Sequence, residues 1–560
     1  MVPFGDVASA LAALGIGGFN DTSSMRLVVG SSTQPNALNQ DLGGTTSTST
    51  WPALGAISNT LSAAGGFPVP EPGTGLLLGL GLCGLAGSRR RARRWSAGRR
   101  RSRSGTLGRL RGRDETAMVA MRRELSGWGR LPVVEGREEV AEELEAASAR
   151  AQLSRGLGRS YGDASLPASS ADRVLCTRRA DRILHFDPAS GVLRAEAGLS
   201  LRDIHRIFGP RGFASPVLTG TAYVTLGGMV ASDVHGKNQH VAGTLGAHVR
   251  ALRMRVADGR ALEVTDESEP DLFRATQGGM GLTGHVLEVE VALERVESPW
   301  LVAETRRADD LDTLVDTLQS ESRRWPHAAA WVDCTTRGRG MGRGYISLGR
   351  YAARSEAPSA PPRLRERVAV PFDLPGWVVA PWSIRIFNTV FHHLHRNTGS
   401  RIVSPQPFFH PLDFVRHWNR LYGRRGFAQY QCVLPHSSDG RSVQRFFEVL
   451  TRLGGASPVS VLKNCGPEGR GVLSFPMPGI SVALDLPFRR GHTQALVDAL
   501  NEVVIESGGR IYLTKDALTR PEHLRAMEPR LARFQEIRRK WDPDGRLRSA
   551  LSVRLLGDAA

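Results

Sequence analysis

Regular patterning of apolar and polar positions begins only near Gly127, so the chain divides into an unpatterned leader and a folded body. Glu138–Arg150 has the apolar spacing of an amphipathic helix. Residues 183–198, ILHFDPASGVLRAEAG, alternate apolar with polar on both sides of a turn, which predicts two short strands. Leu201–Phe208 predicts a helix, Val249–Val264 a hairpin turning at Asp258-Gly259, and the glycine loop at 273–284 leads into another alternating strand. Strands are also predicted around Gln429 and Gln431, through VSVLKNCG at 459–466, and through IYLTKD at 511–516. Short strands, hairpins and helices in this mixture predict an α+β body.

The leader differs in kind. Residues 1–66 are rich in Gly, Ala, Ser, Thr and Asn with few large apolar side chains, which cannot bury a core and predicts disordered low-complexity chain. Residues 67–94 hold Val69-Pro-Glu-Pro72, an apolar run from Gly73 to Gly87 and Arg89-Arg-Arg-Ala-Arg-Arg94. This resembles the PEP-CTERM sorting signal of exported bacterial proteins: a Pro-Glu-Pro motif, a short hydrophobic helix and a basic stop. The apolar run, about 15 residues, falls short of the roughly 20 that cross a bilayer. A basic linker at 95–124 follows. Such a signal normally ends a protein, so a merely flexible leader is one reading and two further explanations, a fusion or a mis-set start or reading-frame join, stand beside it. The leader is a fusion whose arginines hold the body at the cytoplasmic face of the inner membrane. Otherwise the start is mis-set, the protein begins near Met118 or Met121, and it is cytoplasmic.

The net charge of +18 is concentrated in that tail: residues 89–113 carry twelve arginines and no acid, leaving +9 for residues 114–560. With no aromatic platform beside the arginines, no nucleic-acid partner is expected. Five scattered cysteines, Cys83, Cys176, Cys334, Cys432 and Cys465, include no Cys-x-x-Cys, which argues against a disulfide framework or a metal site.

Two glycine segments carry the candidate chemistry. One is Arg155-Gly-Leu-Gly-Arg-Ser-Tyr-Gly-Asp163; the other, 219–246, reads TGTAYVTLGGMVASDVHGKNQHVAGTLG. Glycine removes the Cβ that would block a flat phosphorylated ligand and frees backbone N–H groups to face a pyrophosphate. A flavin dinucleotide suits both demands. The pair resembles the FAD-binding domain of the vanillyl-alcohol oxidase/PCMH flavoproteins. Within these, the body from about Leu125 to Leu555 resembles the decaprenylphosphoryl-β-D-ribose 2'-oxidase family, through Gly426–Pro435, Val461–Pro467, Leu473–Gly479, Tyr512–Asp516 and Trp541–Asp544.

That resemblance implies a two-subdomain FAD domain at 125–298, an α+β substrate domain with an antiparallel sheet at 299–509, and a return to the FAD domain at 510–560. It implies FAD contacts from Arg155, Gly156, Gly158, Arg159, Ser160, Tyr161 and Gly162, then from Thr219, Gly220, Gly227, Gly228, Ser232, His235, Gly236, Asn238 and Gly243, and from Gly284. Covalent members carry His where Arg159 stands, so the FAD is expected to be non-covalent. His235 and Lys237 are placed near flavin and substrate and count, with Lys515, as catalytic candidates. Gln429 and Gln431 share one strand face, where two amides turned into a core would be left unpaired, so they are read as substrate-binding with Lys463 and Lys515. Asp485 and Asp516 are read as structural. His410 stands where Tyr is expected, and Ser481 and Ala483 replace Asn and Cys, which bears on the glycolipid rather than the flavin chemistry. The segment 352–365 is expected to be a mobile surface loop.

The expected reaction is FAD-dependent oxidation of the 2'-hydroxyl of a polyprenylphosphoryl ribose. A separate NAD(P)H-dependent reductase completes it, oxygen or a quinone accepts the electrons, and the membrane surface lies close by. Oxidation of a free aldonolactone, as by D-arabinono-1,4-lactone oxidase, is the alternative within the class. A surface-anchored structural protein is the alternative outside it.

Overall fold

A computed structural model describes residues 121–362, 368–436 and 440–560. The leader through residue 120, with its expected disorder and hydrophobic helix, lies outside the described residues, as does part of the 352–365 loop.

β1 (Met121–Ser126), β2 (Val133–Val140), β3 (Leu153–Arg155) and β4 (Arg173–Cys176) form a sheet in the order β1-β2-β4-β3. β1 starts at Met121, inside the stretch expected as linker. The helix expected over Glu138–Arg150 is only Leu144–Ser148, because the first residues of that run belong to β2. Parallel pairing with β4 buries Glu138 and Glu139 there, and this tertiary contact overrides the local period.

The next strands are β5 (Ile183–Asp187), β6 (Val192–Glu196), β7 (Phe213–Ala214), β8 (Val249–Arg255), β9 (Ala261–Thr265), β10 (His285–Ala292) and β11 (Glu294–Arg295). They make a five-stranded antiparallel sheet, β5-β6-β10-β8-β9, and a separate β7–β11 pair. The two expected strands and the 249–264 hairpin are present. Leu201–Phe208 is helical as its pattern predicts: Ser200 accepts from the Asp203 amide as N-cap, while Leu201, Ile204 and Phe208 turn inward.

An eight-stranded antiparallel sheet follows, from β12 (Leu301–Ala308), β13 (His327–Val332), β14 (Gly344–Tyr351), β16 (Thr398–Val403), β18 (Phe427–Pro435), β19 (Ser460–Cys465), β20 (Gly479–Pro487) and β21 (Arg510–Ile511). Its order is β16-β12-β14-β13-β19-β20-β18-β21, and β15 (Val368–Ala369) pairs with β17 (Val415–Arg416) beside it. Side chains in a strand alternate between faces, and cross-strand partners share one. Leu462, Val482, Leu484, Cys432 and Leu434 fill one face. The other carries Trp331, Tyr345, Val461, Lys463, Ser481, Ala483, Asp485, Gln429 and Gln431, tied by the registers Trp331↔Tyr345, Trp331↔Val461, Val461↔Ala483, Lys463↔Ser481 and Gln429↔Asp485. This second face floors the site.

Candidate functional site

A cavity of about 650 Å³ lies over that face. Its opposite walls come from Arg159 and Tyr161, from Leu218, Thr219, Gly220, Thr221, Tyr223 and Val224, from Val234, His235 and Lys237, and from Tyr512, Thr514 and Lys515. At one end, beside β13 and β14, the wall is apolar: Trp331, Phe387, Phe391 and Phe409. At the other, Gln429, Lys463, Lys515 and Tyr161 converge.

The lysines define the polar end. Lys463 follows from strand alternation in β19. Lys515 was expected on a strand, but β21 ends at Ile511 and Leu513–Lys515 is a 3-10 turn. Thr514 and Tyr161 meet through a backbone bond from the Tyr161 amide (3.0 Å), which draws the turn out of the ladder. Burial, reinforced by the Lys463 charge and opposed by Asp485, pulls the Lys515 ammonium down to about 7. Burial lowers Lys463 as well. An amine so placed exchanges protons near neutrality instead of standing permanently charged.

Asp485, read as structural from the sequence, belongs to this cluster. It accepts from the Gln429 amide and from the Tyr422 hydroxyl (3.2 Å), and burial raises its carboxyl despite the Gln429 bond. The signal was available, since Asp485 is in phase with Ser481 and Ala483 on β20. Asp516 is structural as expected, bridged to Arg554 (2.8 Å).

Gln431 shares Gln429's face but stands behind His235. Its Nε2 donates to Ser481 Oγ (2.8 Å) and lies 3.1 Å from His235 Nε2. Burial, with Lys463 and Lys515 nearby, holds His235 well below the usual histidine range, so it is neutral. Accepting at Nε2 leaves the proton on Nδ1, a buried donor with no partner among the described residues. Lys237 lines the cavity but spends its ammonium on the Phe408 carbonyl (2.6 Å) and lies 4.3 Å from that ring's centroid.

The remaining expected contacts divide. Thr219 and Gly220 line the cavity, and Arg159 does so with its guanidinium 3.9 Å from the Trp128 ring centroid. Arg155 points elsewhere, donating to the Ser126 carbonyl (2.6 Å) and the Ser165 carbonyl (3.2 Å) as a brace for the loop. Gly156 and Gly162 permit close packing: a Cβ would come 2.2 Å from Thr225 Oγ1 and 1.8 Å from the Asp516 carbonyl. Ser160 gives its carbonyl to the Trp128 amide (2.7 Å), and Ser232 gives its own to the Tyr512 hydroxyl (2.8 Å). Gly227 packs on Ala197, and the Gly228 amide donates to the capping Thr225 (3.3 Å). Asn238 donates to the Pro216 carbonyl (2.8 Å), while Gly236, Gly243 and Gly284 do not line the cavity. His410, buried beside His205, does not line it either.

The residues fit an FAD. No hydrogen bond among the described residues takes up the amides of Leu157, Gly158, Arg159 or Ser160, and Gly158 at φ +63 turns the loop as a side chain would not. His235 Nδ1, on a residue that lines the cavity, is a buried polar atom with no partner among the described residues. Such an atom is costly unless a ligand meets it.

Comparison with known proteins agrees with this chemistry. An FAD binding domain family matches residues 133–265, and a PEP-CTERM protein-sorting motif matches residues 68–91. Decaprenylphosphoryl-β-D-ribose oxidase of Mycolicibacterium smegmatis is 32% identical over 462 residues, 77% of this chain and 97% of that protein. L-Gulonolactone oxidase of Mus musculus is 33% identical over 141 residues, 25% of this chain and 31% of that protein. A putative D-arabinono-1,4-lactone oxidase of Neurospora crassa is 28% identical over 110 residues, 20% of this chain and 19% of that protein.

Proposed function

The chain belongs to the decaprenylphosphoryl-β-D-ribose oxidase family of FAD-binding oxidoreductases acting on hydroxyl-bearing substrates, and from that premise we propose that its substrate is a lipid-linked sugar. The reaction is oxidation of a secondary hydroxyl, the 2'-hydroxyl of a polyprenylphosphoryl ribose, to a keto sugar. One observation carries this reading: the cavity is lined both by the buried lysines Lys463 and Lys515 and by the aromatic side chains Trp331, Phe387, Phe391 and Phe409. A hydroxylated head with an apolar tail meets both, whereas a free aldonolactone leaves the aromatic side chains without a partner.

Arg159, Tyr161, Thr219, Gly220 and His235 would hold the FAD, His235 offering its unpartnered Nδ1–H. Bound FAD supplies the acceptor for the hydride leaving the carbinol carbon, and oxygen or a quinone then takes the electrons. Lys515, neutral in part near pH 7, takes the hydroxyl proton at Nζ as the C=O bond forms. Lys463, when charged, faces the developing oxyanion or the substrate phosphate, and Gln429, fixed by Asp485, orients the sugar. Arg159 cannot form the histidyl link, so the flavin is held without a covalent bond. A separate NAD(P)H-dependent reductase consumes the keto sugar, and the arginine run after the sorting motif keeps the enzyme at the cytoplasmic face of the inner membrane.

The test is anaerobic bleaching of the flavin by a short-chain prenylphosphoryl ribose and, in parallel, by D-arabinono-1,4-lactone. Rapid bleaching by the prenyl substrate is expected. Bleaching by the lactone alone would transfer the assignment to aldonolactone oxidation.

A further inference from the structure

The helix Pro381–Leu394, PWSIRIFNTVFHHL, has two apolar faces. The inner face is anchored: Asn388 donates to Asp333 Oδ1 (3.1 Å) and the Ser457 carbonyl (3.2 Å), and Phe387 and Phe391 line the cavity. The outer face carries Trp382, Ile386, Val390 and Leu394 at successive four-residue steps, which align as one stripe. All four stand exposed, Trp382 at 58% and Ile386 at 56%. Trp377 and Phe372 are exposed just before it, and the Trp377 carbonyl accepts from Ser383 Oγ (2.9 Å), which ties that turn to the helix. Six of the thirteen large apolar side chains exposed among the described residues thus fall within residues 372–394. Scattered exposed apolar residues need no explanation, but a grouping of this kind marks a surface that is covered in use.

The charge around the stripe says by what. Residues 372–426 contain seven arginines, no lysine and two acids, Asp373, which is paired with Arg130, and Asp413. Asp413 is buried and bound by the Thr221 hydroxyl (2.6 Å) and the Ala222 amide (2.7 Å). Arg385, Arg396, Arg401, Arg416, Arg424 and Arg425 are exposed. Tryptophans with aliphatic side chains in a field of arginines suit the interface of an anionic bilayer, where indole sits at headgroup depth and guanidinium meets lipid phosphate.

We propose that the outer face of Pro381–Leu394, with Trp377 and Phe372, is the surface by which the protein seats on an anionic phospholipid bilayer. No described helix is long and apolar enough to cross a membrane, so this seat lies in the interface. One helix then has lipid on its outer side and the cavity's aromatic end on its inner side. That a lipid tail enters this end rests on the function proposed above; the docking does not.

The full chain is mixed with vesicles of brominated phosphatidylglycerol or brominated phosphatidylcholine, and tryptophan quenching is compared between the protein and its Trp382→Phe variant. The expected result is quenching by phosphatidylglycerol vesicles, weakened by salt, with a component that Trp382→Phe removes. Ile386→Glu should retain its flavin spectrum and partition roughly tenfold more weakly, the scale of one apolar side chain withheld from lipid. Quenching identical in the protein and Trp382→Phe would overturn the proposal, since binding would then come from elsewhere in the chain, and this arm decides even if Ile386→Glu fails to fold. An Ile386→Glu protein that changes its solution mass but not its vesicle binding would also overturn it, showing that the stripe meets a second copy of the chain. Turnover of the short-chain prenyl substrate in detergent solution separates this result from the functional reading, because it can fail while docking stands and stand while docking fails.

Discussion

Replacing Lys515 by Met removes the amine and keeps an apolar stem of similar length. An ordinary lysine near 10.4 is neutral in about one molecule in a few thousand at pH 7. Lys515, drawn down to about 7 by burial and by Lys463, is neutral in roughly half. Its availability as a base is therefore greater by roughly three powers of ten. Loss of a positioned acid–base group slows proton transfer by about 10²- to 10⁴-fold, so flavin bleaching by substrate should slow by at least about 10²-fold in Lys515→Met. Flavin should still be bound, since the FAD contacts proposed for Arg159, Thr219, Gly220 and His235 do not involve the amine. The pH profile supplies the sign. The base is the deprotonated form, so the rate in the unmodified protein rises with pH through the folded pKa, and the variant loses that limb. Stability moves the same way: a lysine depressed in the fold binds fewer protons than the unfolded chain between the two pKa values, so stability rises with pH from near neutrality toward the ordinary lysine range. Lys515→Met should flatten that rise in a denaturant series. Anaerobic stopped-flow of the bleaching step across pH 5.5–9 measures the kinetic part. A variant that bleaches as fast as the parent, with its limb intact, refutes the role given to Lys515.

Asp485→Asn should shift the rising limb of the pH–rate profile to lower pH, because the carboxylate holds the Lys515 pKa up and its loss lets burial and Lys463 act unopposed; a limb that moves upward would contradict the placement. Acid precipitation of the yellow protein should release all its FAD to the supernatant if, as the family resemblance implies, Arg159 stands where covalent members carry the bonding histidine, and flavin in the pellet disproves it. Gly158→Ala should weaken FAD binding and lower stability by about 1–2 kcal/mol, the scale of left-handed strain, because φ is +63 there and the new Cβ would lie 2.4 Å from the Arg155 guanidinium. Flavin titration and urea melts read the two effects.

What could be read beforehand follows the range of the forces. Leu201–Phe208, the 183–196 strand pair and the 249–265 hairpin obey local periodicity, and the structure contains them. Gln429 and Gln431 were placed together because alternation alone sets the face of a strand. The run at 138–150 misled because pairing of β2 with β4 overrides helical spacing in its first residues. Lys515 was expected in a ladder, but its turn is shaped by a bond to Tyr161, more than 350 residues earlier in the chain. The face of Asp485 was legible from its phase with Ser481 and Ala483, whereas its partner Gln429 follows only from the register across the sheet. The aromatic wall from Phe387 and Phe391 belongs to a helix whose amphipathic signal is blurred by apolar residues on both faces.

The backbone bonds beneath Lys515 carry a consequence of their own. The Tyr161 amide donates to the Thr514 carbonyl (3.0 Å), the Gly129 amide to the Tyr161 carbonyl (3.1 Å), and the Phe427 amide to the Gly129 carbonyl (2.9 Å). Four stretches distant in sequence are thereby threaded in series: the chain after β1, the first glycine loop, the head of β18 and the turn that bears the amine. Neighbouring links in such a thread cannot slip separately, so the position of Nζ is set by how those four strands of backbone are seated together and not by the local stiffness of its own turn. With Lys515 as the proton acceptor proposed above, catalytic competence becomes a gauge of assembly: sliding of the glycine loop against the large sheet would misplace the amine even while every side chain of the cavity remains present.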